Sequence, residues 1–168
     1  TVSAWVVNDG NGGLNYKVTT STASGTINPA PASVTPDAGT KVYGTADPTL
    51  TGTMTGFVAA DGITAAYSRT AGETVLGSPY TISATLTPVA ALANYSITYN
   101  TASFSITRAP ASVTPSASSK VYGTADPVFT GTLAGFLPGD SVTAVYTRVA
   151  GEDVSGSPYT ISATLSPD

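Results

Sequence analysis

The 168-residue chain has no cysteine and no histidine, and charged side chains make up only 10% of it. Without cysteine there is no disulfide frame, no thiolate nucleophile and no cysteine-based zinc site; without histidine the commonest acid–base group and metal ligand is missing. Any catalysis would fall to carboxylates or lysine alone. Six basic residues against ten acidic ones give a net charge of −4. No basic cluster is present, so nucleic acid is not an expected partner, because that affinity rests on Lys and Arg displacing counterions from phosphates. No run of eighteen apolar residues spans a membrane, and residues 1–20 lack the basic start and apolar centre of a signal peptide. An export or anchoring signal is therefore expected outside this chain. Leu137-Pro138-Gly139-Asp140 superficially resembles a wall-sorting signal, but it lacks the Thr and has no apolar tail behind it.

What the chain has in abundance is glycine (17), proline (12), Thr, Ser and repetition. KVYGTADP at 41–48 returns letter for letter at 120–127. Residues 32–89 align with 111–168 without a gap at an offset of 79, with 39 of the 58 positions identical. A period near 80 is too long for a solenoid unit, so each period reads as a small domain with its own core. NYKVTTSTASGTINPAPASVTP at 15–36 aligns with residues 94–115 at the same offset, and TVSA at 1–4 matches TISA at 81–84 and 160–163. The expected organisation is the C-terminal part of a preceding repeat at 1–31, a complete repeat at 32–110, and the N-terminal part of a following repeat at 111–168.

Alternating apolar residues mark strands, as in Ile63, Ala65, Tyr67 and in Tyr80, Ile82, Ala84, Leu86. Tyr95, Ile97, Tyr99 and Phe104, Ile106, separated by Asn100-Thr101-Ala102, read as a hairpin. Gly and Pro pairs punctuate the runs, including Asp61-Gly62 and its counterpart Gly139-Asp140, and Gly77-Ser78-Pro79. The spacing predicts strands near 48–57, 62–70, 80–87, 94–100 and 102–107. Only 56–60 and 45–47 leave room for a helical turn. Within KVYGTADP, Gly44 permits a positive φ and Asp47-Pro48 initiates a turn, so the octet reads as a strand leaving its sheet through a set bend. Asn28-Pro29-Ala30-Pro31 and Arg108-Ala109-Pro110 read as short, stiff, extended joints between units. The fold class is all-β, with tandem small β-grasp-like or β-sandwich-like domains, little helix, and a rod-like arrangement.

Tyr43-Gly44, Ala71-Gly72-Glu73, the PYTIS strand and the NYSIT…FSIT pair, in that order, resemble the MBG domain of the YGX type. The resemblance covers the whole chain. It implies tandem units of large bacterial surface and adhesin-like proteins, a β-grasp-like fold and no catalytic residue.

Candidate sites each have a plainer reading beside them. Tyr43 and Asp47 would suit a ligand loop, but few convergent polar groups accompany them, and a scaffold role is preferred. Glu73 with Asp61, and Glu152 with Asp140, suggest a glycosidic carboxylate pair; turn hydrogen bonding explains them more simply. Asn8-Asp9-Gly10-Asn11-Gly12 has calcium-loop composition with one carboxylate, and reads as a solvated hairpin loop. Lys41 and Asn94 would allow a covalent Lys–Asn bond, with a solvated lysine at a strand end as the preferred reading. Arg69 and Arg148 are expected to form exposed ion pairs with Glu73 and Glu152. The nine tyrosines are placed mostly inward, against a sugar-stacking face. Trp5 stands where Thr85 and Thr164 occur, and both packing and contact readings are open. No catalytic, cofactor-binding or metal-binding residue is assigned, and no cofactor is expected.

The expected function is structural: a non-enzymatic repeat segment of an extracellular bacterial stalk or filament. Its expected partners are adjacent repeats or other copies of the chain. Recognition of host or matrix glycans is the alternative.

Overall fold

The computed structural model describes residues 6–166, so Trp5 and the 1–4 match lie outside the described residues. Residues 30–107 form one folded unit built from seven strands. These are β1 (Ala30–Pro36), β2 (Gly39–Val42), β3 (Gly52–Thr55), β4 (Thr64–Arg69), β5 (Tyr80–Thr87), β6 (Tyr95–Tyr99) and β7 (Ala102–Thr107). The helix α1 (Val89–Leu92) is a single turn between β5 and β6, and a 3-10 turn covers Ala59–Asp61. The chain is all-β, as its alternating pattern requires. A helix of four residues cannot cover a sheet, and the layout is the sandwich-like one of the two expected arrangements.

Two sheets share the work. The first has the order β3-β1-β6, with β1 antiparallel to β3 and parallel to β6; the second has the order β2-β7-β5-β4. In the second sheet β2 and β7 are parallel, and β5 pairs antiparallel with both β7 and β4. The segment read as a hairpin is therefore not one. β6 and β7 are consecutive but enter different sheets, because each finds a parallel partner near the start of the unit and none in the other. Asn100-Thr101 is a crossing between sheets.

β1 begins inside the segment expected as a joint, with Ala30 and Pro31 of Asn28-Pro29-Ala30-Pro31 as its first two residues. It carries two prolines yet lies centrally between β3 and β6. Pro31 falls where β1 pairs only with β6, and Pro36 where it pairs only with β3. Each proline thus sits where the strand has a single neighbour, which is where a residue without an N–H is tolerated.

β5 connects the two cores because its inward residues alternate along eight positions. Leu86 joins Ala32, Val34, Ile63 and Tyr95 between the sheets, while Ile82 joins Phe104 and Ile106 on the second sheet. Val34, Ile82 and Phe104 are fully buried.

The following unit repeats the first steps: β8 (Ser112–Pro115) pairs with β9 (Gly131–Ala134), and β10 (Thr143–Arg148) with β11 (Ile161–Ser166). Two 3-10 turns, Pro138–Asp140 and Val154–Gly156, complete it. Among the described residues this unit has no fully buried side chain, whereas all eight buried apolar residues lie between 32 and 106. Residues 6–29, which align with β6 and β7 from position 15 onward, contain no strand. Their sequence is suited to strands, but the sheets that would pair them belong to a different unit.

Candidate functional site

Two polar features recur in both units or join them. The first is a four-charge cluster at one end of the second sheet. β2 ends at Val42, Gly44 turns with φ +82°, and Thr45 closes the turn through both its N–H and its hydroxyl to the Val42 carbonyl, at 3.1 and 2.8 Å. The bend returns Asp47 to Lys41, whose Nζ lies 2.7 Å from Asp47 Oδ1 and also contacts Glu73 Oε2. Arg69, at the end of β4, grips Asp47 from the other side, with Nε to Oδ2 at 2.6 Å and Nη2 to Oδ1 at 2.9 Å. Its Nη2 also reaches Glu73 at 2.5 Å and its Nη1 donates to the Gly72 carbonyl at 2.6 Å. The guanidinium stacks 4.8 Å from the Phe104 ring centroid and 5.3 Å from that of Tyr80.

This corrects two expectations. Lys41 is not a solvated lysine: its side chain is 4% exposed. Arg69 is not an exposed partner of Glu73 alone, being 7% exposed and committed to two carboxylates and to the carbonyls of Thr70 and Gly72. Long cationic side chains enter apolar surroundings only when their charge is matched, and here two carboxylates match two cations. Lys120, Asp126, Arg148 and Glu152 repeat the cluster, with Lys120–Asp126 at 2.9 Å and Arg148–Asp126 at 2.8 Å. Lys41 is not brought to Asn94, which immediately precedes β6 of the other sheet and whose carbonyl accepts from the Ala30 N–H. Asp61 is not brought to Glu73 either: Asp61 accepts from the Tyr95 hydroxyl, and the two acids share no partner.

Arg69 and then Lys41 hold the Asp47 carboxyl well below its ordinary value, and Lys41 and then Arg69 lower Glu73. Asp47 and then Glu73 raise Lys41 above 10.5. The depressed carboxyls contribute stability that is complete above their unfolded values of 3.8 and 4.5 and is lost as pH falls through the lower folded values. The raised lysine contributes stability that is complete below 10.5 and is lost as pH climbs through its higher folded value. Thermal melts are expected to be flat between about pH 5 and 10 and to fall on both sides. Asp47→Asn combined with Glu73→Gln should lower the plateau and flatten its acid limb; an unchanged acid limb in that variant would exclude the cluster as its source.

The second feature joins the units. The Tyr43 hydroxyl donates to Asp140 Oδ1 at 2.7 Å, across 97 residues of sequence, and that carboxylate raises the phenol above its ordinary pKa. Beside it Gly44 lies against Leu137: a Cβ on Gly44 would sit 2.5 Å from Leu137 Cδ1. Leu137 precedes the Pro138–Asp140 turn and Asp140 ends it, so the run that superficially resembles a sorting signal is the surface on which the preceding unit rests. Tyr43 is half-buried against the Ile82–Phe104–Ile106 core, and so it serves its own unit and the joint together. The sequence carries no signal that brings Leu137 and Asp140 to Tyr43-Gly44.

Asp9, in the Asn8-Asp9-Gly10-Asn11-Gly12 loop, spends Oδ1 on the N–H groups of Asn11 and Gly13 at 3.0 and 2.9 Å. Those bonds lower its pKa and account for the loop as a turn. It forms without the flanking strands of a hairpin. Among the described residues no group of three or more acidic side chains could hold a metal ion, and no helix is long and apolar enough to cross a membrane.

These features define a class of protein: a tandem all-β repeat whose recurring polar residues hold the unit and its joint. Residues 32–105 and 111–167 match the family described as MBG domain (YGX type), and the chain belongs to that family. It is a repeat module of the kind that surface proteins carry. No curated protein and no solved structure matches it.

Proposed function

We propose that this chain is a non-enzymatic, load-transmitting repeat segment of an extracellular bacterial stalk or filament, in which identical joints are made head to tail. The observation that carries the reading is the joint. The YG pair is spent on the contact of Tyr43 with Asp140 and of Gly44 with Leu137, so the repeated motif orients one unit on the next. A short peptide link alone leaves two domains free to rotate, whereas a bonded and packed contact restricts them. The aromatic residues favour this over glycan recognition. Tyr16, Tyr99 and Tyr122 are exposed, but the one close aromatic pair among the described residues, Phe57 with Tyr95, belongs to the core.

The test is rotational. In amide relaxation measurements the central and following units are expected to share one correlation time, and Tyr43→Phe together with Leu137→Ala is expected to separate them without unfolding either. Independent tumbling in the unaltered chain would overturn the stiff-joint reading. Electron micrographs of the native assembly should show fibres or stalks, and a glycan array should be blank.

A further inference from the structure

The second sheet of the central unit ends at β4 by the topology of the unit itself, since the order β2-β7-β5-β4 gives β4 a strand neighbour on one side only. In an antiparallel ladder alternate residues bond to the partner strand. The Thr70 N–H donates to the Thr81 carbonyl at 3.0 Å, so Ser68, Ala66 and Thr64, in step with Thr70, direct their backbone groups to β5. The intervening Ala65, Tyr67 and Arg69 turn theirs to the open side. Among the described residues no hydrogen bond reaches the N–H or C=O of Ala65 or Tyr67 from that side.

Edge strands are kept from pairing by being short, or by carrying lysine, proline or a bulge. β2 and β3 have four residues and β6 has five, whereas β4 has six, with no lysine, proline or acidic residue among them. Its one charge, Arg69, is 7% exposed and spent on Asp47 and Glu73 of its own unit. The side chains β4 shows to solvent are Thr64, Ala66 and Ser68, and those of β5 beside them are threonine and serine. The following unit repeats this edge. β10 pairs with β11 in the same register, the Val149 N–H donates to the Thr160 carbonyl at 2.9 Å, and Ala144, Tyr146 and Arg148 take the open positions.

We infer that β4 is a lateral contact strand that pairs antiparallel with β4 of a second copy of this chain, about a two-fold axis at Tyr67, and that β10 offers the same contact about Tyr146. In that register Tyr67 faces Tyr67 and Ala65 faces Arg69, so the backbone groups of all three open positions find partners. Moving the axis to Ala66 would set Arg69 opposite Ile63, which is buried and lies outside the strand. On the outer face Ala66 stands opposite Ser68 and Thr64 opposite Thr70, small and uncharged on both sides, so nothing holds the strands apart. The occupant is a second copy because the edge is its own complement, as an isologous contact requires. A foreign peptide added as a strand is selected by pockets for its alternate side chains, and residues as small as Ala66 and Ser68 wall none. The contact uses no residue of the joint between Tyr43-Gly44 and Leu137–Asp140, so it goes beyond the head-to-tail reading and ties segments side by side.

The absence of native cysteine allows the register to be read by cross-linking. Ala66→Cys chains mixed with Ser68→Cys chains should form a disulfide-linked heterodimer under mild oxidation, because directly opposed residues that are not hydrogen-bonded have Cα atoms about 4.5 Å apart. Neither variant alone should link to a comparable extent. Both positions are exposed, so neither change disturbs the core. In sedimentation velocity, lysine at both positions and at their counterparts (Ala66→Lys, Ser68→Lys, Val145→Lys, Thr147→Lys) should weaken self-association about tenfold or more, since like charges then stand opposite one another. Glutamate at the same four positions should be as weak alone, and an equimolar mixture of the two variants should associate again. Ser103→Lys with Ser105→Lys, on the exposed face of β7 two strands from the edge, should leave association unchanged. A heterodimer confined to the mixed cysteine variants, together with recovery on mixing opposite charges, supports the inference. Equal linking by Ala66→Cys alone, an equal loss from the β7 lysines, no recovery on mixing, or a strictly monomeric unaltered chain each overturns it. None of these results bears on the shared tumbling of adjacent units, so failure here is distinguishable from failure of the stalk reading.

Discussion

Phe104→Ala is expected to lower the stability of the central unit by about 3–5 kcal/mol, the range for deleting a fully buried aromatic side chain. The ring has no exposed surface, packs with Ile82 and Ile106, and forms one of the two aromatic faces against Arg69. Its removal leaves a cavity that the neighbouring strands cannot close, because Phe104 pairs with Gly39 on one side and Tyr80 on the other. Loss of the ring also opens the guanidinium to water and loosens its hold on Asp47 and Glu73. Chemical denaturation of the whole chain, followed by amide signals of β5 and β7, measures the effect. A loss below about 1 kcal/mol would mean that β7 does not carry the core.

Gly56→Ala is expected to be nearly as damaging, at about 3 kcal/mol, through backbone rather than packing. Gly56 adopts φ +81°, and a Cβ there would lie 2.3 Å from the Pro31 carbonyl oxygen and 2.9 Å from the Ala32 Cα. Those are backbone atoms of β1, which cannot withdraw without breaking the adjacent pairing of Ser33 with Thr55. Gly62→Ala is the internal control: its φ is +60° with no atom within 4 Å of the added carbon, so it carries conformational strain alone. Ser141 stands at that position in the following unit with φ 53°, a sign that a side chain is tolerated there. The difference between the two glycine variants in thermal denaturation isolates the clash. Equal losses would show that positive φ accounts for both.

Much of the candidate site was only half legible in the chain. The bend of KVYGTADP is local chemistry, visible in Gly44 and Asp47-Pro48, and the structure has it. The burial of Lys41 and Arg69 was not visible, because a lysine at a strand end is ordinarily solvated. What buries these two is the convergence of Asp47 from the bend and Glu73 from the β4–β5 connection, together with the Phe104 ring from a strand 35 positions beyond Arg69. Asp140 gave no signal at all as a partner of Tyr43, because a bond across 97 residues depends on how two units meet.

The sequence by itself determined that the protein is all-β, that it repeats with a period of 79 residues, and where most strands lie, since alternation and turn chemistry are short-range properties. Strand partners, and in places strand existence, were decided only by tertiary structure. β6 and β7 look like the two arms of a hairpin and enter different sheets. The identical dipeptide Lys-Val ends β2 at 41–42, beside β7, but is not in a strand at 120–121, where no β7 is described. Residues 15–28 align with β6 and β7 and form no strand. A strand's backbone bonds are made to a neighbour rather than within itself, so the same residues are a strand where the neighbour is in place and extended chain where it is not.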